Sequence, residues 1–199
     1  MPRSSEFRTV FNGFRERERL YQRCWSDEVF IHSVVKSATL IVGPLLHGGK
    51  VLVFGNGGSA AEAQHFAAEL VGRFARDRRA LPAIALTTDT SILTAQANDA
   101  GYETVFARQI EALMSPSDVA VAMTTSDVSP GHSENIKQGL EAVRKAGGMA
   151  VGLFSEKTKE LLTLVDRAVI VPATEASLIQ EVHLTILHVM SGIIEEGVR

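Results

Sequence analysis

Cysteine is nearly absent from this sequence of 199 residues, in which Cys24 is the single example. One cysteine excludes an internal disulfide and favours a reducing compartment. Long hydrophobic runs are missing too. No stretch reaches the roughly 18 consecutive apolar residues of a membrane span, and the N-terminus lacks the apolar segment of a signal peptide. We therefore expect a soluble, cytoplasmic protein without a membrane partner.

The sequence also has little net charge, formally −3 at pH 7 with an isoelectric point near 6.1. A chain of this charge has no general attraction to nucleic acid or to anionic lipid. A local basic cluster, made of Arg73, Arg76, Arg78 and Arg79, suits the end of a helix as well as it suits a binding patch. We expect no nucleic-acid partner.

Short apolar runs without polar alternation are what the chain has instead, and such runs are typical of parallel strands buried on both faces. Helical patterns separate them, so the order of elements predicts an α/β fold with a doubly wound, five-stranded parallel sheet. The predicted strands are residues 51–54, 82–86, 118–123, 149–153 and 168–171. The predicted helices between them are residues 59–75, 91–114 with a break near Gly101, 132–147 and 156–164.

Two longer helical segments flank this core, at residues 26–47 and 174–196. Both are apolar around more than one stripe, and a single domain of this size seldom buries two such helices completely, so we expect them to pack between subunits. The predicted organisation is an N-terminal helical extension over residues 1–25 and one domain over residues 26–199.

Two loops after predicted strands carry candidate ligand contacts, because ligands of open α/β sheets collect at the carboxyl ends of the strands. Gly55–Ser59 reads GNGGS, in which the glycines allow close approach and Ser59 either caps a helix or binds a ligand. The loop lacks the spacing of a dinucleotide fingerprint. Residues 124–129 read TTSDVS, and their four hydroxyls before a helix favour a phosphate over a merely polar loop, although Asp127 opposes an anion.

His65 and Glu69 share one helix face because they are four residues apart. Imidazole and carboxylate together suit zinc, although such a pair is more often a surface ion pair. The last helix carries Gln180 and His188 on one broad face, with His183 on the neighbouring flank. These groups indicate either a metal or substrate site, or hydrogen-bonded histidines between subunits.

Three segments resemble the phosphoheptose isomerases of the sugar isomerase (SIS) superfamily: GNGGSAAEAQHFAAELVGRF, LPAIALTTDTSILTAQANDAGYETVFARQIEAL and IQEVHLTILH. The resemblance implies a flavodoxin-like three-layer α/β sandwich in a homotetramer, with the flanking helices at the interfaces. It also implies conversion of sedoheptulose 7-phosphate to D-glycero-D-manno-heptose 7-phosphate through an enediol, with zinc, on the way to nucleotide-activated heptose.

The resemblance also implies residue roles. Glu69 would be the base and His188 the acid. The zinc ligands would be His65, Glu69, Gln180 and His188. The substrate contacts would be Asn56, Gly57, Ser59, Asp99, Thr124, Thr125, Ser126, Ser129 and Gln180.

The phosphate loop departs from this family's usual S-T-S-G-N-S-x-N. Asp127 stands in place of a glycine, and Val128 and Gly131 each stand in place of an asparagine. Two alternatives follow: an isomerase of another sugar phosphate, or a non-enzymatic SIS protein that binds the bacterial replication initiator. Glu69 and His188 favour the enzyme, because the initiator-binding relative lacks residues matching them.

Overall fold

A computed structural model describes residues 4–199 as a three-layer α/β sandwich around one parallel sheet. The strand order is β2-β1-β3-β4-β5, the order of flavodoxin-like folds. The strands are β1 (Val51–Gly55), β2 (Ala83–Ala85), β3 (Val119–Met123), β4 (Met149–Ser155) and β5 (Arg167–Val171). Every residue of β1 and β3 is buried, so the reading of unbroken apolar runs as central strands is confirmed.

Seven helices cover the sheet within the described residues. They are α1 (Ser5–Ser26), α2 (Glu28–Leu46), α3 (Gly58–Val71), α4 (Thr90–Ala100), α5 (Val105–Leu113), α6 (Glu134–Lys145) and α7 (Ala176–Gly197). Alternate side chains of a strand point to opposite faces. Val51 and Val53 therefore join the core under α2, α3 and α7, whereas Leu52 and Phe54 join the core under α5 and α6.

The predicted helix over residues 91–114 divides where the sequence suggested. Gly101 has φ +95°, a conformation that favours glycine, and it separates α4 from a short 3₁₀ turn at Tyr102–Thr104 and then α5. The predicted break is confirmed.

The predicted helix over residues 156–164 is wrong. Strand β4 continues to Ser155, and a 3₁₀ turn covers Leu161–Leu164. The Asp127 carboxylate accepts hydrogen bonds from the backbone N–H groups of Lys159 and Glu160. This contact from a distant loop fixes the backbone of the segment. The residues of the segment itself do not predict it.

Helix α1 begins after Ser4, whose side-chain oxygen accepts a hydrogen bond from the Phe7 N–H at 3.3 Å. Its buried residues Leu20 and Cys24 join the core that contains α2 and α7. Residues 1–3 of the predicted N-terminal extension lie outside the described residues, and the division at residue 25 stays a prediction.

Helices α2 and α7 are the two flanking helices, and they pack against each other. By length and composition alone each would suit a membrane span, a criterion that core helices of soluble proteins also meet. Large apolar side chains stay exposed around them, among them Trp25 at 66% of its surface, Ile31 and Val189. Contiguous exposed apolar surface is often a site of interaction in proteins.

Candidate functional site

The turn from β1 into α3 places the GNGGS residues at the carboxyl end of the central strand. Gly57 has φ +54°, which lets the chain reverse before the helix begins. The Asn56 amide forms two reciprocal hydrogen bonds of 2.9 and 2.8 Å with the amide of Asn135, the second residue of α6. The Tyr102 hydroxyl donates to Asn56 Oδ1 at 3.4 Å. These contacts join α6 and the 3₁₀ turn to the loop.

Gly58 is needed for a different reason, because it lets another side chain approach the backbone closely. A Cβ built on Gly58 would lie 2.6 Å from both the nitrogen and the oxygen of the Gln180 side-chain amide. Glycine therefore admits Gln180, from α7, to the first turn of α3. Ser59 follows Gly58 and is buried.

The hydroxyl loop after β3 closes on itself through serine and threonine side chains. Ser133 Oγ lies 3.2 Å from both Thr124 Oγ1 and Ser126 Oγ. Ser133 has φ +58°, in the left-handed region that non-glycine residues seldom adopt. The sequence analysis missed Ser133. The sequence did contain one sign of it, a serine placed just before a helix and shortly after Gly131. In the structure Gly131 also has positive φ.

Asp127 turns away from this loop. Its carboxylate accepts hydrogen bonds from the N–H groups of Lys159, at 2.9 Å, and Glu160, at 3.2 Å. Desolvation opposes its ionisation, but backbone N–H donors led by Glu160 and Lys159 outweigh that effect, and the pKa of Asp127 is lowered. The expected conflict between Asp127 and a bound phosphate is therefore relieved by orientation.

These loops enclose a cavity of about 300 Å³ at the carboxyl ends of the strands. Its lining is polar and rich in hydroxyl and amide groups, which suits an anionic, hydroxylated ligand. The lining residues are Asn56, Ser59, Tyr102, Thr124, Thr125, Ser126, Gly131, His132, Ser133 and Gln180. Six of the residues predicted to contact substrate are thus brought together, with four that the sequence analysis did not assign.

A second group lies farther along the same helix, where α3 packs on α7. His65 Nε2 lies 2.7 Å from His188 Nε2 and 3.2 Å from Glu69 Oε1. The rings of His65 and His188 meet edge to face, with their centroids 5.0 Å apart. Two helices more than 100 residues apart in the sequence therefore converge as the sequence analysis expected.

The chemistry of these donor atoms fits a metal ion. One ligand atom from each of His65, Glu69 and His188 lies within 4.8 Å of the others, and within residues 4–199 this is the one such group of histidine, cysteine and acidic side chains. Two imidazole nitrogens 2.7 Å apart cannot both donate, so they share either a proton or a cation. Imidazole and carboxylate are ligands that zinc takes.

Phe74 packs against His188, and Glu195 holds the backbone of Phe74 in place. The Phe74 ring stacks on His188 with centroids 5.7 Å apart. The buried Glu195 carboxylate accepts hydrogen bonds from the N–H groups of Phe74, Ala75 and Arg76 and pairs with Arg78. Those N–H groups are taken by a side chain of α7, which accounts for α3 ending at Val71 rather than at residue 75.

Three predicted substrate contacts, Gly57, Asp99 and Ser129, are not among the residues that line the cavity, and the predicted metal ligand Gln180 lies in the cavity and not beside His188. Gln180 borders the hydroxyl cavity, and eight residues of helix, about 12 Å of rise, separate it from His188; its place as a fourth ligand stays a prediction. Asp99 is exposed at the end of α4 and accepts a hydrogen bond from the Asn98 side chain. Ser129 is exposed and pairs through its backbone with His132.

Comparison with known proteins adds an independent line of argument. Residues 28–155 match the sequence model of the SIS domain family. A phosphoheptose isomerase of Aquifex aeolicus is 49% identical over 171 residues, which are 86% of this chain and 87% of that protein. One of Geobacter metallireducens is 49% identical over 160 residues, 80% of this chain and 82% of that protein.

Solved structures of phosphoheptose isomerases have the same fold as this chain. The phosphoheptose isomerase of Neisseria gonorrhoeae superposes with a TM-score of 0.87 at 34% identity, covering 96% of this chain and all of that chain. The enzyme of Francisella tularensis also gives 0.87, at 31% identity over 97% of this chain and all of that chain. The predicted α/β sandwich with a five-stranded parallel sheet is confirmed.

Proposed function

The chain belongs to the SIS domain family and to the phosphoheptose isomerases within it, and from this premise we propose that it interconverts sedoheptulose 7-phosphate and D-glycero-D-manno-heptose 7-phosphate. Its relatives make it an intramolecular isomerase of a sugar phosphate in heptose biosynthesis. The proposal adds the substrate, the residues and the metal.

The phosphate end of the substrate is assigned to the hydroxyl cavity. Ser126 and Ser133 offer hydroxyl donors there, and the cavity lies at the start of α6, where free N–H groups and the helix dipole favour an anion. The inward hydroxyls and the outward Asp127 carboxylate support this assignment.

The reacting carbons are assigned to the group on α3 and α7. Isomerisation of a 2-ketose to an aldose removes a proton from C1, adds one to C2, and moves a proton from O1 to O2. In the proposed mechanism Glu69 accepts the proton from C1 while His188 donates a proton to O2, which gives the enediol; His188 then takes the proton from O1 while Glu69 returns its proton to C2, so both groups are restored. Their side chains lie on facing helices beside His65, so both can reach one small region.

His65, Glu69 and His188 would hold a zinc ion, with Gln180 as the fourth ligand implied by resemblance. Because an atom bound to a metal cannot transfer a proton, Glu69 and His188 would transfer protons only while released from the ion. When bound, zinc supplies a positive charge that polarises a carbonyl and the neighbouring hydroxyl and so favours negative charge on oxygen. His65 has no proton-transfer role in this scheme; its ring fixes the direction of the His188 Nε2 atom through the 2.7 Å contact.

The assembly is proposed to be a homotetramer. Trp25, Ile31 and Val189 expose apolar surface beside a groove between α1, α2 and α7. Burying such surface between copies of the chain stabilises the assembly by about 25 cal/mol per Å². The flanking helices supply the surface that the sequence analysis assigned to subunit contacts.

The convergence of His65, Glu69 and His188 is the single observation that carries the proposal. The test is conversion of sedoheptulose 7-phosphate by purified protein, followed by NMR, with unphosphorylated sedoheptulose as the control and with chelator-treated and zinc-restored samples alongside. We expect turnover of the phosphorylated sugar only, loss with chelator and recovery with zinc. Full turnover after complete metal removal would contradict the zinc assignment, and no turnover under any condition would contradict the substrate.

An isomerase of another sugar phosphate remains the alternative that one observation favours, because Val128 and Gly131 replace two amide side chains of the family's phosphate loop. Comparing kcat/KM for several phosphorylated ketoses of five to seven carbons decides between them. The proposal requires the seven-carbon substrate to give the highest value.

A further inference from the structure

A buried acid–base pair lies between α3 and α7, apart from the residues assigned to proton transfer and metal binding. Glu62 is 7% exposed and His183 is fully buried. Glu62 Oε2 and His183 Nδ1 face each other at 4.0 Å, and neither atom has another hydrogen-bond partner. Buried polar atoms without partners cost about 1–3 kcal/mol each, so the pair calls for an explanation.

The protonation of His183 follows from its other nitrogen. His183 Nε2 lies 3.3 Å from the backbone carbonyl oxygen of Phe154. A carbonyl oxygen only accepts, so Nε2 carries the hydrogen. Burial lowers the pKa of His183 to about 4, with the Phe154 carbonyl opposing that shift, so the ring is neutral near pH 7. Its Nδ1 atom is then a lone pair that needs a donor.

Glu62 is the group that faces this lone pair, and an ionised carboxylate has no hydrogen to give. A protonated Glu62 has one, and a rotation that shortens the 4.0 Å separation by about 1 Å brings it to hydrogen-bond length. Burial raises the pKa of Glu62 to about 7, and the Ser59 hydroxyl, one helical turn earlier on α3, acts in the opposite direction. The carboxyl therefore has one neighbour that needs a proton and one that can donate to it.

We propose that Glu62 is a positioning residue: its protonated carboxyl donates to His183 Nδ1 and accepts from the Ser59 hydroxyl, so that Ser59 presents an oxygen lone pair to a hydroxyl of the bound sugar. Ser59 lines the cavity and lies three residues before Glu62 on α3, so in this arrangement its one hydrogen points to Glu62 and not into the cavity. The donors then run in one direction, from sugar to Ser59, Glu62, His183 and the Phe154 carbonyl. This inference rests on the proposed sugar-phosphate substrate.

The two sides of the cavity therefore differ in the ligand groups that they can bind. The Ser126 and Ser133 hydroxyls can turn their hydrogens toward phosphate oxygens, because they contact only other hydroxyls of the loop, whereas the Thr124 hydroxyl donates to the Ser126 carbonyl oxygen at 3.2 Å. Ser59 cannot donate while it is engaged with Glu62, and an oxygen lone pair facing a phosphate is unfavourable. Ser59 therefore excludes the phosphate from its side of the cavity and selects a sugar hydroxyl, which sets the orientation of the substrate.

The first test uses the free protein and does not depend on any activity. Nitrogen-15 NMR of His183, assigned by comparison with His183→Gln, reports which ring nitrogens carry hydrogen. We expect the neutral ring with hydrogen on Nε2 at pH 7, and an infrared band of a protonated carboxyl that Glu62→Gln removes. A doubly protonated ring, or a neutral ring with hydrogen on Nδ1, would overturn the proposal even in a fully active enzyme.

The second test is kinetic and separates positioning from packing. Glu62→Gln keeps a donor for Nδ1 and an acceptor for Ser59, so we expect KM within about twofold of the parent. Glu62→Met has a similar volume but neither function, and we expect KM to rise about tenfold, the loss of one hydrogen bond, with kcat nearly unchanged. Ser59→Ala in the Glu62→Met background should add little further, because both changes remove the same contact.

Equal KM values for Glu62→Gln and Glu62→Met would contradict the proposal, since a structural residue responds to shape and not to the ability to donate. Circular dichroism and thermal unfolding verify that both variants are folded. If the parent protein does not turn over the sugar phosphate, the failure belongs to the proposed function, and the nitrogen-15 result still decides the protonation of the pair.

Discussion

At the scale of single residues, the direction in which a side chain points decides its effect. Asp127 stands in the phosphate loop, where its charge would oppose an anion, yet its carboxylate lies against the N–H groups of Lys159 and Glu160. The residue that distinguishes this loop from its relatives therefore serves the neighbouring segment. Its contribution is to the stability of residues 156–164 and not to substrate affinity.

Asp127→Ala tests this separation. We expect KM to change less than twofold and the free energy of unfolding to fall by about 1.5–3 kcal/mol, the value of a hydrogen bond to a charged acceptor. Denaturant unfolding with a kinetic assay measures both, and Asp77→Ala at an exposed loop position is the control. Because the folded pKa of Asp127 is lowered, its contribution is present above the unfolded pKa of about 3.9 and is lost as the pH falls through the folded pKa.

For Glu69 we predict the opposite, an effect on turnover and none on stability. Glu69→Gln keeps the shape of the side chain but removes the proposed base, so kcat should fall by about 10²–10⁴-fold while the native mass is unchanged. Turnover assays and native mass spectrometry check this, with Glu111→Gln on exposed α5 as the matched control. Near-normal activity in Glu69→Gln would show that the base is another group.

At the scale of elements, the site depends on helix α7 holding the segment after α3. The Glu195 carboxylate collects three consecutive backbone N–H groups, and the segment in turn presents Phe74 to the His188 ring. Desolvation opposes ionisation of Glu195, but those N–H donors and Arg78 outweigh it and lower its pKa. One carboxylate thus connects the stability of a loop to the position of the proposed acid.

Glu195→Gln should loosen that segment. We expect faster hydrogen exchange at the amides of Phe74, Ala75 and Arg76, together with a loss of about 2–3 kcal/mol of stability, because Arg78 is left without its charged partner. Glu196→Gln is the control, since the neighbouring side chain is 68% exposed. Because the folded pKa of Glu195 is lowered, the difference between parent and Glu195→Gln should be fully present above the unfolded glutamate pKa of about 4.3 and should shrink as the pH falls through the lower folded pKa. Unchanged exchange at these amides would contradict the account.

The elements that were predictable from sequence are those whose pattern is local. Unbroken apolar runs such as residues 51–54 identify central strands because both faces are covered, and the spacing of His65 and Glu69 defines a shared helix face. The errors have distant causes. Asp127 overrides the helical pattern of residues 156–164, and nothing in the sequence near Glu62 indicates that its side chain is buried. Ser133 takes a left-handed conformation that no local pattern requires.

At the scale of the whole molecule, a single chain leaves apolar surface exposed to solvent. Trp25, Ile31 and Val189 border one groove between α1, α2 and α7. One of these helices, α7, also supplies Gln180 and His188 to the proposed site. The proposed assembly and the proposed site therefore share helix α7.

Ile31→Glu tests the assembly. A charge on this surface cannot be buried without a partner, so we expect the native mass to fall from four chains to two or one while the helix content is retained. Light scattering after size-exclusion chromatography and circular dichroism measure the two quantities. Lys145→Glu, exposed at the end of α6, is the matched charge change. An unchanged mass in Ile31→Glu would exclude this face from the interface.

The central claim is that α3 and α7 bring His65, Glu69 and His188 to one metal ion beside the sugar's reacting carbons. Anomalous X-ray diffraction across the zinc edge, from crystals of the protein as purified, tests it most directly. The account predicts one peak per chain at about 2.0–2.2 Å from a nitrogen of each histidine and from an oxygen of Glu69. A peak bound by other residues, or none in crystals of fully active enzyme, would contradict it.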